Sequence, residues 1–135
     1  KHRVCYNGDI FTKNGYEQFV GRFDPIKYPL LQSMMLGRGI IANPALLREI
    51  KGGQRLTKSE LRCFHDTLYR AYEARNFGLS PLLHRMKELW FYWGRLFVDA
   101  EKPVHKIKLA KTIETYRPAV DRLFDGWEIG GSFGA

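Results

Sequence analysis

Two short glycine-bearing segments, Asn7-Gly8-Asp9 and Gly37-Arg38-Gly39, carry the residue types best suited to holding an anion. Glycine lets the backbone approach a ligand closely, and backbone N–H groups then act as donors. The Arg38 guanidinium adds a fixed fork of positive charge that suits phosphate. In parallel α/β architecture, ligands sit beyond the carboxyl ends of strands, where helix N-termini also favour negative charge. If both segments follow neighbouring parallel strands, the N–H groups of Gly8 and Gly37 and the side chain of Arg38 can converge on one phosphate. The competing reading is two ordinary tight turns, with glycine present for its positive φ.

A second group of residues suits RNA. The 22 Lys plus Arg outnumber 14 Asp plus Glu, giving a net charge of +8 and a pI near 9.7, a balance compatible with a nucleic-acid partner. The excess is densest between residues 84 and 111, where Arg85, Lys87, Arg95, Lys102, Lys106, Lys108 and Lys111 face only Glu88, Asp99 and Glu101. Such a stretch reads either as a phosphate-contacting patch or as a solvated helical surface. Phe91 stands out within it. At helical spacing it points away from the neighbouring apolar stripe, among His84, Lys87, Glu88 and Arg95, where it either stacks on a base or packs against another helix. Lys108 and Lys111 are expected on one helix face, with Lys106 projecting elsewhere.

Other chemistries find less support. His2, His65, His84 and His105 have no ligand spacing with cysteines or carboxylates, so no metal site is expected. Cys5 and Cys63 are too few and too far apart for a disulfide framework and read as buried reduced thiols without a catalytic role. With 135 residues, 44% apolar and 27% charged, the chain suits one domain or part of a larger protein, not a disordered tail or a collagen. No apolar run approaches the ~18 residues that cross a bilayer, and no secretory leader opens the chain, so no membrane association is expected and a cytoplasmic location is. The sequence opens at Lys1 without an initiator Met, which suggests a piece of a longer parent.

The elements that must position these residues fall into two groups. Val4-Cys5-Tyr6 reads as a strand, and a helix starting near Thr12 or Asn14 runs through Tyr16, Phe19, Val20 and Phe23 to Asp24-Pro25. Ser33-Met34-Met35-Leu36 reads as a second strand that breaks at Gly37-Arg38-Gly39, and Asn43-Pro44 opens a helix ending at Gly52-Gly53. From Thr57 onward the pattern is helical throughout. Thr57-Lys58-Ser59-Glu60 has the form of a capping box before an apolar face of Leu61, Phe64, Leu68, Ala71 and Tyr72. Ser80-Pro81 opens a helix whose core stripe is Leu82, Met86, Leu89, Trp90, Trp93 and Phe97. A third helix is expected from Pro103 to about Thr115 and a fourth from Pro118 to Phe124, before a glycine-rich end at 126–134. The expected fold is mainly α: a C-terminal four-helix bundle over residues 54–135, preceded by a βαβα unit over residues 1–53.

Val4-Cys5-Tyr6-Asn7-Gly8-Asp9-Ile10, Met34-Met35-Leu36-Gly37-Arg38-Gly39-Ile40-Ile41-Ala42-Asn43-Pro44 and Leu47-Arg48-Glu49-Ile50 resemble the end of the barrel in the tRNA-dihydrouridine synthases. Arg85-Met86-Lys87-Glu88-Leu89-Trp90 and Lys106-Ile107-Lys108 resemble that family's C-terminal helical domain. The resemblance spans nearly the whole chain and is most specific at Met-Leu-Gly-Arg-Gly with the following Asn-Pro. It implies the last two units of an FMN-binding TIM barrel and a tRNA-binding helical domain. It further implies that Asn7, Gly8, Asp9, Gly37 and Arg38 are FMN-phosphate contacts. Arg85, Lys87, Phe91, Arg95, Lys106, Lys108 and Lys111 become the RNA-facing residues. In the family, NADPH reduces the flavin, which passes hydride to a uracil ring of tRNA while a cysteine supplies a proton. The segment that would bear that cysteine is absent here, so the resemblance implies a C-terminal fragment whose partner is the remaining N-terminal barrel. Two other readings stay open: a stand-alone basic helical RNA-binding module, and a fragment of another FMN-dependent barrel oxidoreductase.

Overall fold

The computed structural model describes residues 2–130. Residues 131–134 of the glycine-rich end lie outside them. The described chain is mainly helical, with seven α-helices and one two-stranded parallel sheet. It divides into two units at Arg55 and Leu56.

In the first unit, β1 (Val4–Asn7) and β2 (Leu31–Met35) pair in parallel, with Tyr6 opposite Met34 and Asn7 opposite Met35. The crossover between them is α1 (Lys13–Arg22). Thr12 caps α1 by accepting a hydrogen bond from the Gly15 N–H at 2.9 Å, which satisfies one of the donors every helix start leaves open. The helix stops before Asp24-Pro25, where Asp24 Oδ1 accepts from the Ile26 N–H at 2.8 Å. Tyr6, Phe19, Phe23 and Tyr28 form a run of rings with successive centroid separations of 4.2, 4.8 and 5.4 Å.

Two local features depart from expectation. Gly37-Arg38-Gly39 is not a loop but the first turn of α2 (Gly37–Ala42), entered directly from β2. The helix expected at Asn43-Pro44 begins later, as α3 (Leu46–Ile50). The buried Asn43 turns the chain between them: its Oδ1 accepts from the Ala45 N–H at 3.0 Å and its Nδ2 donates to the Glu49 carboxylate. An Asn side chain that mimics a backbone turn in this way delays the helix by one turn. Ile10, Ala42, Ala45 and Leu46 form the small buried centre of this unit, while α1 buries no residue fully.

The second unit comprises α4 (Lys58–Ala74), α5 (Leu79–Trp93), a 3₁₀ turn at Gly94–Leu96, α6 (Glu101–Leu109) and α7 (Ile113–Gly126). The Thr57/Glu60 capping box opens α4, with both reciprocal hydrogen bonds made. Leu82, Met86, Trp90 and Trp93 of the expected stripe are buried on α5, and Phe97 stays buried although it lies past the 3₁₀ turn. On α4 the buried line is Leu61, His65 and Tyr69, with Phe64, Leu68 and Tyr72 half-buried beside it and Ala71 exposed.

The helix expected over 103–115 is two helices. α6 ends at Leu109, and Thr112 opens α7 through a second capping box with Thr115. Lys111 therefore sits in the connection and does not share a helix face with Lys108. Pro118 lies inside α7 rather than at its start. The α5 end and α6 come very close, since a Cβ added at Gly94 would lie 2.7 Å from Val104 Cγ1. The last described residues pair antiparallel with the turn after α5, through Val98 N–H to Glu128 O at 2.9 Å and Gly130 N–H to Leu96 O at 2.7 Å. Among the described residues no helix is long and apolar enough to cross a membrane.

Candidate functional sites

Parallel pairing brings the two glycine segments of the first unit together at the carboxyl ends of β1 and β2. An ion pair joins them: Arg38 Nη2 lies 2.7 Å from Asp9 Oδ1, with both side chains largely open to solvent. Asp9 is an acceptor only, so its direct role is to hold the Arg38 guanidinium, whose other N–H groups remain available to an anion. Gly8, Gly37 and Gly39 do not have positive φ, unlike Gly52 and Gly78. Their smallness serves close approach instead. A Cβ at Gly39 would lie 2.0 Å from the Ile10 carbonyl oxygen, and one at Gly8 2.2 Å from the Tyr6 hydroxyl. Around Gly37 there is open space. The first hydrogen bond of α2 runs from the Ile40 N–H to Leu36 O, so the Gly37, Arg38 and Gly39 amides precede the helical ladder. Asn7 is exposed at the end of β1.

In the second unit the structure gathers some of the RNA-facing candidates and separates others. Phe91, Arg95, His105 and Lys108 line one groove of about 800 Å³, together with Asp99 and Glu101. Lys108 Nζ sits 4.6 Å from the centroid of the Phe91 ring, a cation–π contact. Lys87 is committed elsewhere: its ammonium donates to the Ala110 carbonyl at 2.8 Å, beside the C-terminus of α6, where positive charge meets the negative end of the helix dipole. Arg85, Lys106 and Lys111 are exposed and do not line the groove.

One cluster was not foreseen. His65 is 4% exposed. Its Nδ1 lies 2.8 Å from Asp66 and its Nε2 2.8 Å from the Tyr116 hydroxyl, which also accepts from Trp90 Nε1 at 3.0 Å. Asp66, held as a carboxylate, can only accept, so Nδ1 carries the proton and Tyr116 donates to Nε2. Burial holds His65 below the usual histidine range, against the opposing hydrogen bond to Asp66. Burial likewise pushes the Tyr116 phenol well above its ordinary value. For Asp66, burial favours the neutral acid, but hydrogen bonds from His65 and Arg62 outweigh it and hold the carboxyl below the usual range. Arg62 spans from Asp66 at 3.2 Å to Asp121 at 2.7 Å and so links α4 to α7. Both His65 nitrogens are engaged, which makes this a clamp inside the helical core rather than a reactive base. The only sequence signal for it was a histidine at the i+4 position from Leu61 in an otherwise apolar line.

Cys5 and Cys63 are exposed, not buried as expected; Cys5 alternates with Tyr6, whose ring packs on Phe19 of α1, and so falls on the other face of β1, while Cys63 falls outside the Leu61–His65–Tyr69 line. Among the described residues, no group of three or more His, Cys, Asp or Glu is placed to hold a metal ion. Comparison of the chain with protein-family models, with curated proteins and with solved structures found no significant match.

Proposed function

We propose that this chain is the C-terminal part of an FMN-dependent tRNA-dihydrouridine synthase. In this reading the first unit is the last two βα units of a TIM barrel, and α4 to α7 form a four-helix tRNA-binding bundle. The observation that carries the reading is the Asp9–Arg38 bridge at the carboxyl edge of two parallel strands. It fixes the guanidinium of the segment that opens α2, a donor suited to a phosphate monoester. The exposed outer surfaces of this unit, including Val4, Val20, Leu30 and Met35, suit a sheet that continues into further strands.

FMN, when bound, supplies hydride-transfer chemistry, with NADPH as its reductant. The residues of this chain do the holding: Arg38 and the Gly37 amide take the phosphate, Asp9 orients Arg38, and Asn7 and Gly8 border the site. None of the described residues serves as the proton donor in this reading, which assigns that role to the remaining N-terminal barrel. On the second unit, Lys108 and Arg95 meet the tRNA backbone, with Arg85, Lys106 and Lys111 as outlying contacts.

The test is the visible absorption spectrum of the full polypeptide that carries this chain, followed by denaturation to release any cofactor. About one FMN per chain is expected, with occupancy falling in Arg38→Ala while tRNA affinity is retained. A colourless protein that cannot be reconstituted with FMN overturns the reading. Should that protein still bind tRNA, a helical RNA-binding module without flavin chemistry takes its place, a reading favoured by the groove at Phe91.

A further inference from the structure

We infer that the groove on the second unit seats one unpaired nucleotide, with its base laid on Phe91 and its phosphate met by Lys108. This deepens the RNA-binding reading above, on which it rests, by naming what that surface takes. Phe91 is 61% exposed, whereas Trp90 and Trp93 on the same helix are fully buried. The Lys108 ammonium lies over its ring, 4.6 Å from the centroid. An aromatic ring left in water with a mobile cation over it is a platform for a nucleobase, because every base presents a π face. When a base takes the ring, the lysine swings on its flexible stem toward the phosphate that accompanies it.

The size and charge of the groove narrow the occupant. Its volume, about 800 Å³, is that of a small-ligand site. Its cations are Arg95 and Lys108, with the His105 ring beside them, but Asp99 and Glu101 line it as well. A duplex backbone brings a phosphate at every step and would set some of them against these carboxylates. A single nucleotide brings one phosphate for the cations, and the amino and hydroxyl donors of base and ribose for the carboxylates. The walls are also held in place. Gly94 packs against Val104, and the segment ending at Gly130 is hydrogen-bonded to Leu96 and Val98. Little ordering cost therefore remains for a ligand.

The experiment measures fluorescence anisotropy of the chain with a labelled single-stranded RNA hexamer, and with the same strand annealed to its complement. The single strand is expected to bind more tightly than the duplex. Phe91→Ala should weaken single-strand binding by roughly one order of magnitude or more, and Phe91→Trp should preserve it. Stacking releases no counterions, so Phe91→Ala should leave the log–log salt slope unchanged, whereas Lys108→Met should lower it by about 0.7. Because Phe91 is exposed, both of its variants are expected to melt like the parent. If the chain binds RNA but Phe91→Ala stays within about twofold of the parent, or duplex and single strand bind alike, the nucleotide seat is wrong and the RNA-binding reading survives. If neither form of RNA binds at low salt, both are overturned.

Discussion

Replacing Tyr116 by Phe removes one oxygen from the centre of the helical unit and orphans two buried partners. Trp90 Nε1–H loses its acceptor at 3.0 Å, and His65 Nε2 loses its donor at 2.8 Å. Trp90 is 0% and His65 4% exposed, so water does not replace either bond. Each unsatisfied buried group costs about 1–3 kcal/mol, and the packing volume hardly changes, so the two together should cost about 2–6 kcal/mol. Set against the roughly 5–15 kcal/mol of an ordinary domain, that is a large share. Urea unfolding followed by tryptophan fluorescence reads this directly, because Trp90, Trp93 and Trp127 all lie in the second unit. The midpoint should fall with the slope unchanged. In a Trp90→Phe background the same substitution should cost less, since one of the two orphaned groups is already gone. A loss below about 1 kcal/mol in the parent would refute the clamp.

The remaining predictions concern pH, packing and thiols. The folded state resists protonating His65, whose unfolded value is near 6.5. Well above that pH neither state holds the proton; as pH falls through it the unfolded state takes the proton first. Stability should therefore fall as pH drops through 6.5 toward the lowered folded value, by at most about 1.4 kcal/mol per unit, and His65→Gln should flatten that slope. Asp66 stays ionised across this window because its carboxyl is held below 3.8. Gly39→Ala sets a Cβ 2.0 Å from the Ile10 carbonyl oxygen and 2.8 Å from Leu46 Cδ2. Backbone must then move, at about 1–3 kcal/mol, and limited proteolysis should cut faster within residues 2–55. An unchanged cleavage rate would count against the close approach of α2 to the β1 loop. Both free thiols are exposed, so a thiol-reactive dye should titrate Cys5 and Cys63 in the native protein, each lost in the matching Cys→Ser variant.

Local signals determined much of this chain. Thr57 opened its helix through the expected capping box, and Thr12 capped the helix expected to start near Thr12 or Asn14, because a cap depends on residues three positions apart. Leu82, Met86, Trp90 and Trp93 of the expected stripe are buried and Leu89 is half-buried beside them, because helical periodicity decides which side chains share a face. The two glycine segments were expected to meet if their strands were neighbours, which they are, whereas the Asp9–Arg38 ion pair between them was not foreseen.

Tertiary structure decided the rest. Gly37-Arg38-Gly39 is helical rather than a turn, because Gly39 must lie against the Ile10 carbonyl, a contact 29 residues away that glycine propensity cannot foretell. Thr112 took the helix start from Pro118, and Lys111 left the Lys108 face with it. His65 became a core residue because Tyr116, on another helix, donates to its Nε2 while Asp66 accepts from its Nδ1, and Trp90, on a third helix, donates in turn to the Tyr116 hydroxyl. A buried polar group is stable only when its partners converge on it. That convergence belongs to how helices pack, which spacing along one helix does not encode.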